Sequence, residues 1–131
     1  MKLLDTTFLI DVLRDGENVR QKAEELKNEA LFTTRINIFE ILVGIFSLSS
    51  GRERRLHQAS MLFERVAVLE LDEKGATLAA QISGELNREG RPVEPGDCLI
   101  AGIALSNGIR TIVTRNTKRF IKMKGLHVES Y

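Results

Sequence analysis

The sequence predicts an α/β fold: three layers, α/β/α, around a central, mostly parallel sheet of four to five strands. Short β-type runs alternate with longer helical patterns, which is how parallel strands joined by crossover helices read in a sequence. A length of 131 residues suits one domain, residues 1–131, with a sizeable core, and no linker, repeat or low-complexity tract divides it. Hydrophobic content of 43% beside 28% charged residues is ordinary for a folded chain and argues against disorder.

Lys2 to Asp5 reads as the first strand, followed by a helix over about Thr7 to Arg14 that Asp15-Gly16 stops. A second helix spans about Asn18 to Asn28, and Leu31 to Thr34 is a short strand. Arg35 to Leu48 is a very apolar helix, expected to be central. Arg52 to Val66 is an amphipathic one, with Leu56, Ala59, Leu62 and Phe63 on a single face. Ala67 to Leu71 is a strand. Asp72 is positioned to cap a helix from Glu73 to Glu89, which Gly90 ends. The loop Arg91 to Gly96 holds both prolines, and Asp97 to Ser106 is a compact helix stopped at Asn107-Gly108. Arg110 to Thr114 is a strand, Thr117 to Met123 a helical turn, and Leu126 to Glu129 an edge strand.

Isolated acids stand where apolar segments end or turn inward. Asp5 closes the first strand, Glu40 interrupts the apolar helix, Asp97 opens another helix, and Asn116 follows the strand Thr111 to Thr114. A carboxylate drawn toward a core loses hydration and needs a partner, a shifted pKa or a cation. Taken singly, Asp97 reads as an N-cap, Asp5 as a strand-end acid and Asn116 as a turn former, whereas a lone Glu40 has no structural use on its helix. Together they would lie at the carboxyl edge of the sheet, where open α/β folds place their sites. Three carboxylates with neighbours about 5 Å apart repel by roughly 3 kcal/mol per pair at an effective dielectric near 20, so the cluster calls for a cation. Oxygen ligands without His or Cys favour Mg²⁺ or Mn²⁺, ions that most often serve hydrolysis at phosphorus. Gly44, one turn beyond Glu40, is expected to admit another backbone closely.

A net charge of +1 hides an asymmetry. No acid stands between Asp97 and Glu129, while Arg110, Arg115, Lys118, Arg119, Lys122 and Lys124 all do, a block that suits a polyanion. Asp11 and Asp15 are expected on the exposed face of the first helix and at its stop. The single Cys98 reads as a core residue, which excludes an internal disulfide or a cysteine metal site. Two histidines are too few for a zinc site or a triad, and no phosphate-binding glycine loop is present. Asp5 and Asp11 break the N-terminal apolar run, no cleavage site follows, and no stretch could span a bilayer, so a cytoplasmic protein is expected.

Four segments carry a family resemblance: Leu3 to Asp11, Arg35 to Gly44, Asp97 to Ala104 and Thr111 to Phe120. In this order and spacing they resemble the motifs of the PIN-domain ribonucleases, specifically the VapC-type toxins of VapBC toxin-antitoxin pairs, and nearly the whole chain takes part. The resemblance implies a PIN-like fold and metal-dependent hydrolysis of RNA phosphodiester bonds, with Mg²⁺ or Mn²⁺ as cofactor. It implies Asp5 and Asp97 as principal metal ligands, Glu40 acting directly or through water, Asn116 completing the site, and Thr114 supporting it by hydrogen bonding. Asn116 replaces the Asp of many members, and Thr7 stands where Asn or Ser is usual. Arg115, Lys118, Arg119, Lys122 and Lys124 would grip flanking phosphates. The resemblance further implies a homodimer and a VapB-type antitoxin docked near the early helices.

Two other readings compete. A receiver-type phosphotransfer domain needs an acid pair at the first strand and an Asp ending the third, but Asp5 stands alone and Asp72, after the third strand, opens a helix. A non-catalytic RNA-binding module would use the basic block alone, which leaves Asp5, Glu40 and Asp97 without a purpose.

Overall fold

The computed structural model describes residues 1–131. Its elements run β1 (Lys2–Leu4), α1 (Thr6–Leu13), α2 (Glu17–Leu26), β2 (Leu31–Thr34), α3 (Arg35–Phe46), α4 (Arg52–Phe63), β3 (Ala67–Leu69), α5 (Glu73–Arg88), α6 (Pro95–Ser106), β4 (Thr111–Val113) and β5 (His127–Glu129). A single 3-10 turn covers Thr117–Arg119. The sheet has five strands in the order β3-β2-β1-β4-β5, all parallel. The expected strands are all present, and the helices agree to within two residues at either end except α4, which stops at Phe63, three residues before the expected Val66, while the helical turn expected to Met123 ends at Arg119.

Successive residues of a strand face opposite sides, and the two central strands are apolar on both. Leu3 and Ile112 join Ala79, Leu86, Ile100, Ala101, Ala104 and Phe120 in a core under α5 and α6. Leu4 and Val113 join Phe8, Leu9, Val19, Leu26, Ile41 and Ala59 in a second core under α1 to α4. These two cores make the three layers. Cys98 is buried in the first, as expected, and burial pushes its thiol pKa up.

The α5 and α6 helices pack closely because Gly102 lacks a side chain. A Cβ there would lie 2.5 Å from the carbonyl oxygen of Gly75 and 2.7 Å from Ala79. Close approach therefore belongs to Gly102 and not to Gly44, beside which nothing stands within 4 Å.

Three further expectations need correction. The α3 helix is not central: Phe39, Val43 and Phe46 are exposed on its outer face, while Ile38, Ile41 and Ile45 face inward. Asp97 is not an N-cap, because α6 starts two residues earlier at Pro95 with Glu94 as its cap residue. Proline is preorganised for a first helical position, which explains the earlier start. Asp11 is not on an exposed face; it accepts hydrogen bonds from Tyr131 Oη at 2.6 Å and Arg115 Nη1 at 3.0 Å, tying α1 to the chain's far end. Asp72 does cap α5, accepting from the Gly75 N–H at 2.8 Å.

Candidate active site

Because β2 and β4 flank β1 on opposite sides, the chain reverses its direction of travel across the sheet between β1 and β4. A crevice opens at the carboxyl ends of two such strands. Asp5 follows β1 there and Thr114 follows β4.

Asp5 is fully buried, and its carboxylate is held from several directions. Oδ2 accepts from Thr114 Oγ1 at 2.7 Å and from Thr7 Oγ1 at 3.2 Å, and Oδ1 accepts from Asn37 Nδ2 at 3.2 Å. Asp5 occupies the cap position of α1 without capping it, which leaves both oxygens aimed into the crevice network. Thr7 Oγ1 also accepts the Arg115 N–H at 3.0 Å, and Thr114 Oγ1 accepts the Asn116 N–H at 3.1 Å. The hydroxyls expected to support the site are thus bonded to it.

Glu40 reaches the crevice from the middle of α3, where Thr6 Oγ1 donates to Oε1 at 2.6 Å. Burial raises its pKa, as do the charges of Asp5 and Asp97, against the opposing influence of Thr6 and Arg119. Asp97, in the first turn of α6, completes the set and is 4% exposed. The structure therefore brings together Asp5, Glu40 and Asp97.

One cation already sits among them. The Arg119 guanidinium donates from Nε to Asp97 Oδ1 at 2.9 Å and from Nη2 to the same oxygen, and it lies 3.4 Å from both Asp5 Oδ2 and Glu40 Oε2. Burial works against its charge, but the bond to Asp97 and the fields of the three acids outweigh that and raise its pKa. Arg119 was expected to face RNA phosphates, and here it faces carboxylates. No three acids are preassembled as a metal-ligand set around it. The donor chemistry nonetheless fits a hard divalent ion: the oxygens converge on one point of positive charge, with no sulfur or imidazole among them.

Other expected residues are placed differently. Asn116 is exposed at the start of the 3-10 turn, and its side chain makes no hydrogen bond to the acids. Lys118 and Lys122 are exposed, Arg115 pairs with Asp11 at 3.0 Å, and Lys124 pairs with Glu85 of α5 at 2.6 Å. Of the five basic residues expected to grip phosphates, Lys118 and Lys122 have no carboxylate partner, whereas Arg115, Arg119 and Lys124 do.

Two contributors had no part in the expected site. Asn37 is fully buried and forms a reciprocal capping box with Thr34 at the start of α3. Its Nδ2 donates to Asp5 and, at 3.0 Å, to Thr6 Oγ1, which in turn holds Glu40. The sequence did carry a signal, a Thr followed three positions later by an amide residue ahead of an apolar run. Thr6 had none beyond its place after Asp5.

A carboxylate cluster at the switch point of a five-stranded parallel sheet defines a class, and residues 2–126 match the PIN domain, so the chain belongs to the PIN-domain family. Within that family it is similar to the tRNA(fMet)-specific endonuclease VapC of Shigella flexneri, at 33% identity over 98% of this chain and 96% of the relative. The DNA-bound VapBC of Salmonella typhimurium superimposes with a TM-score of 0.87 at 30% identity, covering 98% of this chain and 96% of its own. VapBC2 of Rickettsia felis, bound to a promoter DNA fragment, shares the fold with a TM-score of 0.89 at 21% identity, covering 99% of this chain and 98% of its own. The chain is a ribonuclease of the VapC type, a group whose members generally depend on divalent metal.

Proposed function

We propose that this chain, as one nuclease domain over residues 1–131, is the RNA-cleaving toxin of a VapBC pair and hydrolyses phosphodiester bonds at Asp5, Glu40 and Asp97. The observation that carries the reading is the convergence of three acids, from the ends of β1, α3's middle and α6's first turn, on a single cation. Mg²⁺ or Mn²⁺ held there would activate water and offset charge developing at phosphorus. Asp5 and Asp97 are the residues that would hold it. Thr114, Thr7 and Asn37 fix the Asp5 carboxylate in advance, so its orientation costs little when substrate binds.

Glu40 suits a different task. Its raised pKa, its short bond from Thr6 at Oε1 and the longer 3.4 Å contact of Oε2 with Arg119 fit a carboxylate that orients the attacking water and takes its proton at Oε2 once Arg119 has moved aside. Asn116 stands at the lip, where it would meet substrate rather than the buried acids. Lys118 and Lys122, both exposed, would hold flanking phosphates, Lys118 from the position before Arg119 and Lys122 from a groove against α5.

Partners follow from two apolar surfaces. Ile10, Leu13, Ile41, Ile45 and Leu48 line a groove between α1, α3 and α4 with Arg14 and Arg55 at its edges. An apolar antitoxin segment of the VapB type with acidic flanks would fit it. Phe39, Val43 and Phe46 form an exposed stripe on the other side of α3, which a homodimer would cover. No helix is long and apolar enough to cross a membrane, and we assign the enzyme to the cytoplasm, where RNA and antitoxin are.

The relative from Shigella flexneri is named for tRNA(fMet), so a structured tRNA is the substrate to try first. Purified protein is incubated with initiator tRNA and elongator tRNAs in Mn²⁺, with and without chelator. Cleavage of initiator tRNA that chelator abolishes is the expected result. Cleavage of no tRNA by folded protein, or cleavage indifferent to chelator, would overturn the assignment.

A further inference from the structure

The Arg119 guanidinium occupies the point on which the three acids converge, meeting Asp97 Oδ1, Asp5 Oδ2 and Glu40 Oε2. Only 22% of the side chain is exposed. Its flat fork of donors meets Asp97 Oδ1 from Nε at 2.9 Å and stands 3.4 Å from Asp5 Oδ2 and Glu40 Oε2. A Mg²⁺ ion needs oxygens at about 2.0–2.1 Å. The same oxygens cannot satisfy both geometries at once, which agrees with the absence of a preassembled metal-ligand set.

The charge balance also matters. One guanidinium leaves three carboxylates under-neutralised, so a divalent ion has an electrostatic advantage over it at the same point. Arg119 stands on a three-residue turn between exposed Lys118 and the fully buried Phe120. With Phe120 as anchor, the Arg119 side chain can swing toward solvent without unwinding a helix.

We propose that Arg119 is an internal counter-ion that competes with the divalent cation for Asp5, Glu40 and Asp97, so that loading the site requires the guanidinium to withdraw. This rests on the metal reading of the acids. Arg119 thereby acts on the cation site's occupancy and is a positioning residue rather than a catalytic one. It lowers apparent cation affinity by the fraction of molecules in which it is docked, and it shields the acids from one another when no metal is bound.

The test is Mn²⁺ binding, followed by the paramagnetic resonance of free Mn²⁺, for the parent protein, Arg119→Gln, Arg119→Lys, Lys74→Gln and Asp97→Asn. Arg119→Gln is expected to bind about tenfold tighter, equivalent to about 1.4 kcal/mol. Arg119→Lys, a point charge on a narrower head, should fall between the parent and Arg119→Gln and keeps the question open should the glutamine variant not fold. Lys74→Gln removes the same charge from an exposed position on α5, outside the cluster, and is expected to change affinity by less than about twofold, since exposed charges are largely screened. Without metal, Arg119→Gln should melt below the parent, and saturating Mn²⁺ should raise its melting temperature by more. Equal or weaker binding by both Arg119 variants, with binding lost in Asp97→Asn, would overturn the competition and leave the metal site standing. No binding by any of the proteins would overturn both.

Discussion

At the scale of single residues, Asn37 does more than its position in an apolar helix suggests. Its amide donates to Asp5 and Thr6, and its carbonyl oxygen accepts from the Thr34 N–H and hydroxyl. Replacing it with Leu keeps the volume and strips all of those partners at a fully buried site. Asn37→Leu is expected to lower stability by about 1–3 kcal/mol, read as a shift of the urea midpoint at unchanged slope. A loss below a few tenths of a kcal/mol would show that the network adds little. Asp5, Glu40 and Asp97 were legible because a charge beside apolar runs is conspicuous. Arg119 was legible only as one member of a basic block, since nothing in its neighbours separates a guanidinium aimed at carboxylates from one aimed at solvent. Asp11 was misread for a related reason: its partners Arg115 and Tyr131 come from the other end of the chain.

At the scale of elements, strands and helices followed from periodicity and punctuation, while their surroundings did not. The α3 helix is apolar on nearly all sides, and the sequence pattern cannot distinguish a face that meets a core from one that meets a partner. Its outer residues Phe39, Val43 and Phe46 are exposed. The α6 helix starts two residues before the expected Asp97 because Pro95, a loop signal in sequence, serves as a first-turn residue. The β5 strand offers an electrostatic test of how the edge is held. Glu129 accepts from Lys2 Nζ at 3.0 Å and lies 3.2 Å from Lys22 Nζ of α2. Burial opposes its charge, but these two ammonium groups prevail and lower its pKa below the ordinary carboxylate value. A carboxylate with a depressed folded pKa contributes stability above its unfolded pKa, here about 4.5, and loses it as pH falls through the folded value. Glu129→Gln is therefore expected to cost about 1 kcal/mol at pH 7, and the two proteins should converge in stability as pH falls from 4.5 through the lowered folded value. A constant difference across that window would contradict the ion-pair origin.

At the scale of the whole molecule, the site is a product of topology. The order β3-β2-β1-β4-β5 puts the carboxyl ends of β1 and β4 side by side, and that edge is where Asp5 and Thr114 meet. Alternating strand and helix patterns predicted the layers, and the acids' places at segment ends predicted the edge. What remained hidden was long-range: Asn37 under Asp5, and Arg119 between the acids. On the proposed reading, cleavage by this chain requires those acids to act together. The most direct measurement is the single-turnover rate of tRNA cleavage in saturating Mn²⁺ by the parent and by Asp97→Asn, each first shown by thermal melting to be folded. A fall of about 10²-fold or more is expected, the scale on which loss of one preorganised electrostatic group is felt. Cleavage within a few-fold of the parent would place the chemistry elsewhere.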